Sequence, residues 1–214
     1  MIGIIDYGMG NLHSVSKALE RLDLSYFLSE APAELAKAEG LILPGVGSFK
    51  DAMTLLKEKE QEAFIKMWVR DGKPLLGICL GMQLLFEGSE ENGSTEGLGF
   101  LPGYAKRFTG EAESGENYKV PHMGWNKLMF QQPDHPLLQN TEEGHVYFVH
   151  SYVIDTKEED VLIATSDYYR EVPAVVGHKN VMGTQFHPEK SSQLGMKMLE
   201  NFGKVVAEGS KKYE

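Results

Sequence analysis

Two hydrophobic rhythms share the first half of the chain. Short apolar runs at residues 2–6, 24–28, 40–43 and 74–78 have the length and the flanking Gly and Pro of buried strands. Between them the apolar positions fall three and four apart. Leu12, Val15, Leu19 and Leu22 form one such helical face, with Asn11 as its cap. Shorter helical patterns cover residues 33–38, 51–57 and 61–70, and another runs from Cys79 through Phe86. Strands alternating with helices predict a parallel sheet covered on both faces.

The second half reads differently. Residues 145–153, 161–166, 174–178 and 181–186 are β-rich, and Lys179-Asn180 suits a hairpin turn. Residues 88–99 and 111–117 read as surface loops. A last helix is expected over 193–207, with Leu194, Met198, Phe202 and Val205 on one face. There is no internal repeat and no Pro/Ser-rich linker. The expectation is a single α/β domain over 1–214, its mostly parallel central sheet flanked by helices and extended by antiparallel strands from the second half.

Composition narrows the function. The 214 residues are 42% hydrophobic and 24% charged, as in a folded globular protein. The charge sum of 21 basic and 31 acidic residues is −10, with no Lys/Arg cluster, which disfavours nucleic acid as a partner. No apolar run reaches the ~18 residues of a membrane span, and the start of the chain lacks a secretory pattern. A soluble, cytoplasmic protein is expected. The one cysteine, Cys79, excludes an intrachain disulfide and a thiolate-rich metal site.

That cysteine sits in Gly77-Ile78-Cys79-Leu80-Gly81, between an apolar strand and a helical run. This is the arrangement of a nucleophile elbow with Cys in place of Ser. A buried structural cysteine is the commoner fate of a lone Cys, and the glycines two residues either side favour the nucleophile. His187-Pro188-Glu189 follows the last apolar strand. In an extended chain His187 and Glu189 point to one side, so the carboxylate can hold the imidazole in its proton-accepting tautomer. A zinc deaminase reading of His-x-Glu fails because the required C-x-x-C is missing. His13, His122, His135, His145, His150 and His178 show no metal-ligand pairing and are expected to be surface or satisfied residues. Pro44-Gly45-Val46-Gly47 ends a strand on the same sheet edge, where its amides and that of Leu80 could form an oxyanion hole. For Gln83, spacing alone favours a solvent-facing helix position.

Together these segments resemble the class I glutamine amidotransferases. The triad pattern is carried by Gly-Ile-Cys-Leu-Gly-Met-Gln at 77–83 and Gly-Thr-Gln-Phe-His-Pro-Glu-Lys-Ser at 183–191. Asp-Tyr-Gly-Met-Gly-Asn at 6–11, Pro-Gly-Val-Gly at 44–47, Pro-His-Met-Gly-Trp-Asn at 121–126 and Tyr-Phe-Val-His-Ser-Tyr at 147–152 sharpen the likeness to the glutaminase subunits of imidazole glycerol phosphate synthases. The resemblance implies a flavodoxin-like fold and no cofactor or metal. It implies Cys79, His187 and Glu189 as catalytic residues, Val46, Gly47 and Leu80 as oxyanion donors, and Gln83, Gly47 and Ser151 as glutamine-binding residues. It also implies a (β/α)₈-barrel cyclase as partner, met through Asn11, Trp125, Asn126, Tyr147 and Lys190. The subunit would idle until the partner binds its ligand and the 44–47 loop turns an amide toward the oxyanion. Other readings are a glutaminase serving anthranilate, aminodeoxychorismate or pyridoxal-precursor synthesis, a binding subunit with an inherited triad, and an autonomous cysteine hydrolase.

Overall fold

A computed structural model describes residues 1–209. Its first half is β1 (Ile2–Ile5), α1 (Leu12–Arg21), β2 (Tyr26–Ser29), α2 (Pro32–Leu35), β3 (Gly40–Gly45), α3 (Phe49–Glu58), α4 (Gln61–Arg70) and β4 (Leu75–Cys79). Asn11 caps α1 as expected, its side-chain oxygen accepting from the Ser14 amide at 3.4 Å. Every residue of β3 and β4 is buried, as a strand covered on both faces requires. Alternate residues of β1 serve opposite sides of the sheet. Ile4 packs with Val15, Leu19 and Phe202, and Ile5 with Leu35, Phe49 and Trp68.

The second half comprises α5 (Leu80–Gln83), β5 (Phe86–Ser89), β6 (Thr95–Glu96), β7 (Leu101–Arg107), β8 (His122–Lys127), β9 (Met129–Phe130), β10 (His145–His150), β11 (Tyr152–Asp155), β12 (Leu162–Asp167), β13 (Glu171–His178), β14 (Val181–Thr184) and α6 (Ser192–Glu208). The central sheet runs β2-β1-β3-β4-β14-β13-β12-β9. From β2 to β14 the pairs are parallel; β13, β12 and β9 add to it antiparallel. The Lys179-Asn180 hairpin forms as predicted, with His178 opposite Val181.

Three expectations are corrected. The helix after Cys79 ends at Gln83, and Phe86 opens β5. Phe86 lies opposite Leu101 of β7, so the backbone past Leu84 is taken up by sheet pairing instead of a helical ladder. Residues 88–99 are not a plain surface loop: Gly88 and Ser89 pair with Glu96 and Thr95, and Ser89 is buried. The stretch 145–153 is two strands. β10 pairs with β8 and β11 with β7, in separate sheets, and Ser151 is the residue between them.

Register sets the site. Gly45 at the end of β3 lies opposite Cys79 at the end of β4, and Thr184 of β14 lies opposite Ile78. Carboxyl ends of parallel strands are where such sheets hold ligands.

Candidate active site

Cys79 is the hinge of the strand-to-helix turn. Its φ of +56° and ψ of −114° lie outside the regions most side chains adopt. The flanking glycines permit this turn by close approach. A Cβ on Gly77 would lie 2.6 Å from the Gly81 carbonyl oxygen, so only a bare Cα fits there.

His187 follows β14 and carries an extended backbone, but the chain does not stay extended. Pro188–Lys190 winds into a 3-10 turn, which corrects the expected geometry. The turn still brings the carboxylate to the ring: His187 Nδ1 donates to Glu189 Oε1 at 2.9 Å, with both side chains buried. The second oxygen, Oε2, is buried without a partner. Ser191 Oγ donates to the His187 carbonyl at 2.7 Å and accepts from the Tyr147 amide at 3.0 Å, fixing the turn to β10. Burial pulls the His187 imidazole down, but hydrogen bonding to Cys79 and Glu189 and their charges outweigh it and bring it up to about 9.

A cavity of about 370 Å³ opens over the cysteine. Cys79 and His187 line it together with Val46, Gly47, Leu80, Gln83 and Ser151, so every expected oxyanion and glutamine-binding residue meets in one place. Gln83 is not solvent-facing. It is buried, and its Nε2 donates to the Tyr152 carbonyl at 3.1 Å and to Gln185 Oε1 at 3.0 Å. Sequence reasoning missed Glu91, the one carboxylate in the cavity wall, whose Oε2 accepts from the Phe49 amide at 2.8 Å. The β5–β6 hairpin carries it there, and nothing local separates it from Glu87, Glu90 or Glu96. A larger, open depression of about 850 Å³ lies between residues 109–118 and β13, and Cys79 and His187 are not part of it.

The expected contact residues are only partly alike. Trp125 on β8 is 52% exposed and faces Tyr147 across the β8–β10 ribbon, ring centroids 5.9 Å apart. Lys190 is exposed on the 3-10 turn that packs beside α1, the helix Asn11 caps. Asn126 uses its amide inward: Oδ1 meets His122 Nε2 at 2.9 Å, and Nδ2 donates to the Asp167 carbonyl at 2.9 Å. His122 and His150 are buried and hydrogen-bonded, as expected of satisfied histidines.

A cysteine, a carboxylate-bonded imidazole and the Val46, Gly47 and Leu80 segments line one cavity, the kinds of group that acyl transfer from an amide uses. The family described as glutamine amidotransferase class-I matches residues 3–206. The chain belongs to the class I glutamine amidotransferases. Among relatives of this family, one from Halalkalibacterium halodurans, named imidazole glycerol phosphate synthase subunit HisH, is 68% identical over 211 residues, covering 99% of each chain. One of the same name from Bacillus subtilis is 60% identical, over 97% of this chain and 98% of that one. A solved structure described as a glutamine amidotransferase superposes with a TM-score of 0.75 at 20% identity, covering 96% of this chain and 98% of that one, and so shares the amidotransferase fold.

Proposed function

We propose that this chain is the glutaminase subunit of an imidazole glycerol phosphate synthase, acting in the cytoplasm in histidine biosynthesis. The observation that carries the reading is one cavity lined by Cys79, Gln83 and the His187 that Glu189 holds. Near-complete alignment with relatives of that name supports it.

In this reading the Cys79 thiolate attacks the side-chain amide carbon of glutamine. The oxyanion is met by the Leu80 amide and by an amide of the Val46–Gly47 segment. His187, held by Glu189, gives its proton to the departing ammonia and leaves a γ-glutamyl thioester. It then takes a proton from water, which hydrolyses the thioester to glutamate and returns the thiolate. Gln83, Gly47 and Ser151 hold the substrate. Ammonia passes to a (β/α)₈-barrel cyclase docked over Trp125, Tyr147, Lys190, Asn11 and Asn126. There it is consumed in making imidazole glycerol phosphate from a phosphoribulosyl-formimino aminoimidazole ribonucleotide. A closed route keeps the ammonia unprotonated and nucleophilic.

The test is glutamate release by the purified chain, alone and with a cyclase subunit carrying its nucleotide ligand, with Cys79→Ala as blank. Little release alone and a large rise in the complex is the expected result. Equal rates without any partner would make the chain an autonomous hydrolase and overturn the proposal.

A further inference from the structure

In the wall of the glutamine cavity, which His150 and Tyr152 line, a row of hydrogen bonds crosses from β8 to β11 through two buried imidazoles. Asn126 Nδ2 donates to the Asp167 carbonyl, so its Oδ1 is the end that faces His122 Nε2 at 2.9 Å. His122 Nδ1 faces His150 Nε2 at 2.9 Å, and His150 Nδ1 faces the Tyr152 carbonyl at 2.7 Å. Both ends of the line are therefore fixed acceptors. His122 Nε2 must carry a proton to bond Asn126, and His150 Nδ1 must carry one to bond Tyr152. If those are the only two, the lone pairs of Nδ1 and Nε2 point at each other across 2.9 Å. Either alternative tautomer moves the same conflict to one end of the line. Every bond is made only when the two rings hold three protons between them.

The geometry points to His122 and His150 sharing one extra proton, an imidazole–imidazolium pair that positions the Ser151–Tyr152 backbone of the glutamine pocket. Two further observations agree. The His122 ring lies between the faces of Tyr168, at 4.0 Å and 13°, and Phe148, at 4.6 Å and 21°, the packing that favours a cation. The Tyr152 carbonyl accepts from both His150 and Gln83, so the pair and the glutamine-binding side chain brace one peptide group. The ionisable groups facing the pair are Tyr168 beside His122, and His187, Cys79 and Glu91, which line the same cavity as His150. Burial acts in the opposite sense, lowering His122, and together with the charges of His122 and His187 it takes His150 down to about 3 despite the bond to the Tyr152 carbonyl. A proton held between two nitrogens is solvated by both.

The inference rests on the glutaminase reading for its kinetic consequence, but not for its direct test. Ring-nitrogen NMR of the full chain, ¹⁵N-labelled at histidine, counts protons on the pair without any substrate. Three protons on the four nitrogens at neutral pH is the expected result. Two protons throughout the pH range in which the chain is folded would overturn it, whatever the enzyme does. Kinetically, His122→Phe keeps a ring between Tyr168 and Phe148 but removes both nitrogens. In the complex it should raise KM for glutamine about tenfold with kcat within about twofold. Wild-type KM should rise at alkaline pH as the shared proton leaves, while the variant's stays flat; parallel pH profiles would refute the positioning role. His122→Gln, which returns a donor toward His150, should recover part of the KM loss. A wild-type complex without glutaminase activity would sink the functional reading alone, leaving the proton count to decide this one.

Discussion

Gly81 lies so close beneath β3 that a Cβ on it would sit 1.8 Å from the Leu43 carbonyl oxygen. The turn bearing Cys79 is thereby seated against the strand that ends in the 44–47 segment. Gly81→Ala must push β3 and α5 apart, and we expect it to cost on the order of 3–5 kcal/mol in denaturant unfolding. Gly8→Ala makes the comparison. It has a φ of +95° and open space around it, so only backbone strain applies, about 1 kcal/mol.

Replacing Glu189 with Gln keeps an oxygen for His187 Nδ1 but removes the charge that stabilises the imidazolium. It also puts an amide NH₂ where Oε2 is already buried without a partner. Glutamate release by the complex should fall about 10²- to 10⁴-fold, with little change in KM. Steady-state kinetics against Cys79→Ala, which should abolish release, checks this.

Alkaline pH should loosen the fold through His187. Its folded pKa of about 9 exceeds the unfolded 6.5, so its contribution is full below 6.5 and is lost as pH rises through about 9. Melting temperatures of the wild type should decline over that window. His187→Gln should lack this component of the decline.

Acid should act through His135. Its Nδ1 accepts from the Leu137 amide at 3.2 Å, which requires the neutral ring, and burial holds its pKa down to about 4. The folded value is the lower one, so this stability is present above 6.5 and lost as pH falls through about 4. His135→Asn, a capping residue that does not titrate, should show a smaller melting-temperature drop between those pH values.

Gln61 ties two strand ends together. Its fully buried Nε2 donates to the Asp6 carbonyl at 3.0 Å and the Glu30 carbonyl at 2.8 Å, just beyond β1 and β2. Gln61→Leu would leave both carbonyls without this donor. We expect a loss of about 2–4 kcal/mol in urea unfolding.

The alternation of short apolar runs with helical faces was enough to read the parallel half of the sheet, because a strand buried on both faces and a one-faced helix leave different periods. The elbow was equally legible. Gly77, Cys79 and Gly81 are neighbours in sequence, and Gly77 is needed bare by its own turn, although the demand on Gly81 comes from Leu43 on β3. His187 and Glu189 were paired correctly but through the wrong backbone, since an extended chain and a 3-10 turn can both bring residues two apart together.

Legible from the residues alone is therefore the part whose physics is local: the strand and helix periods, the Asn11 cap, the hairpin at Lys179-Asn180 and the strained turn at Cys79. The tertiary structure decided the rest. Phe86 left the helix for a strand because β7 was there to pair with it, and the β5–β6 hairpin that follows delivered Glu91 to the cavity. Gln83 turned inward because the Tyr152 carbonyl and Gln185, 69 and 102 residues away, supply its partners. The proton count on His122 and His150 follows from which atoms face each other across 28 residues of chain, a fact that no spacing pattern encodes. Periodicity tells which side of an element is buried; only the assembled fold tells what it is buried against.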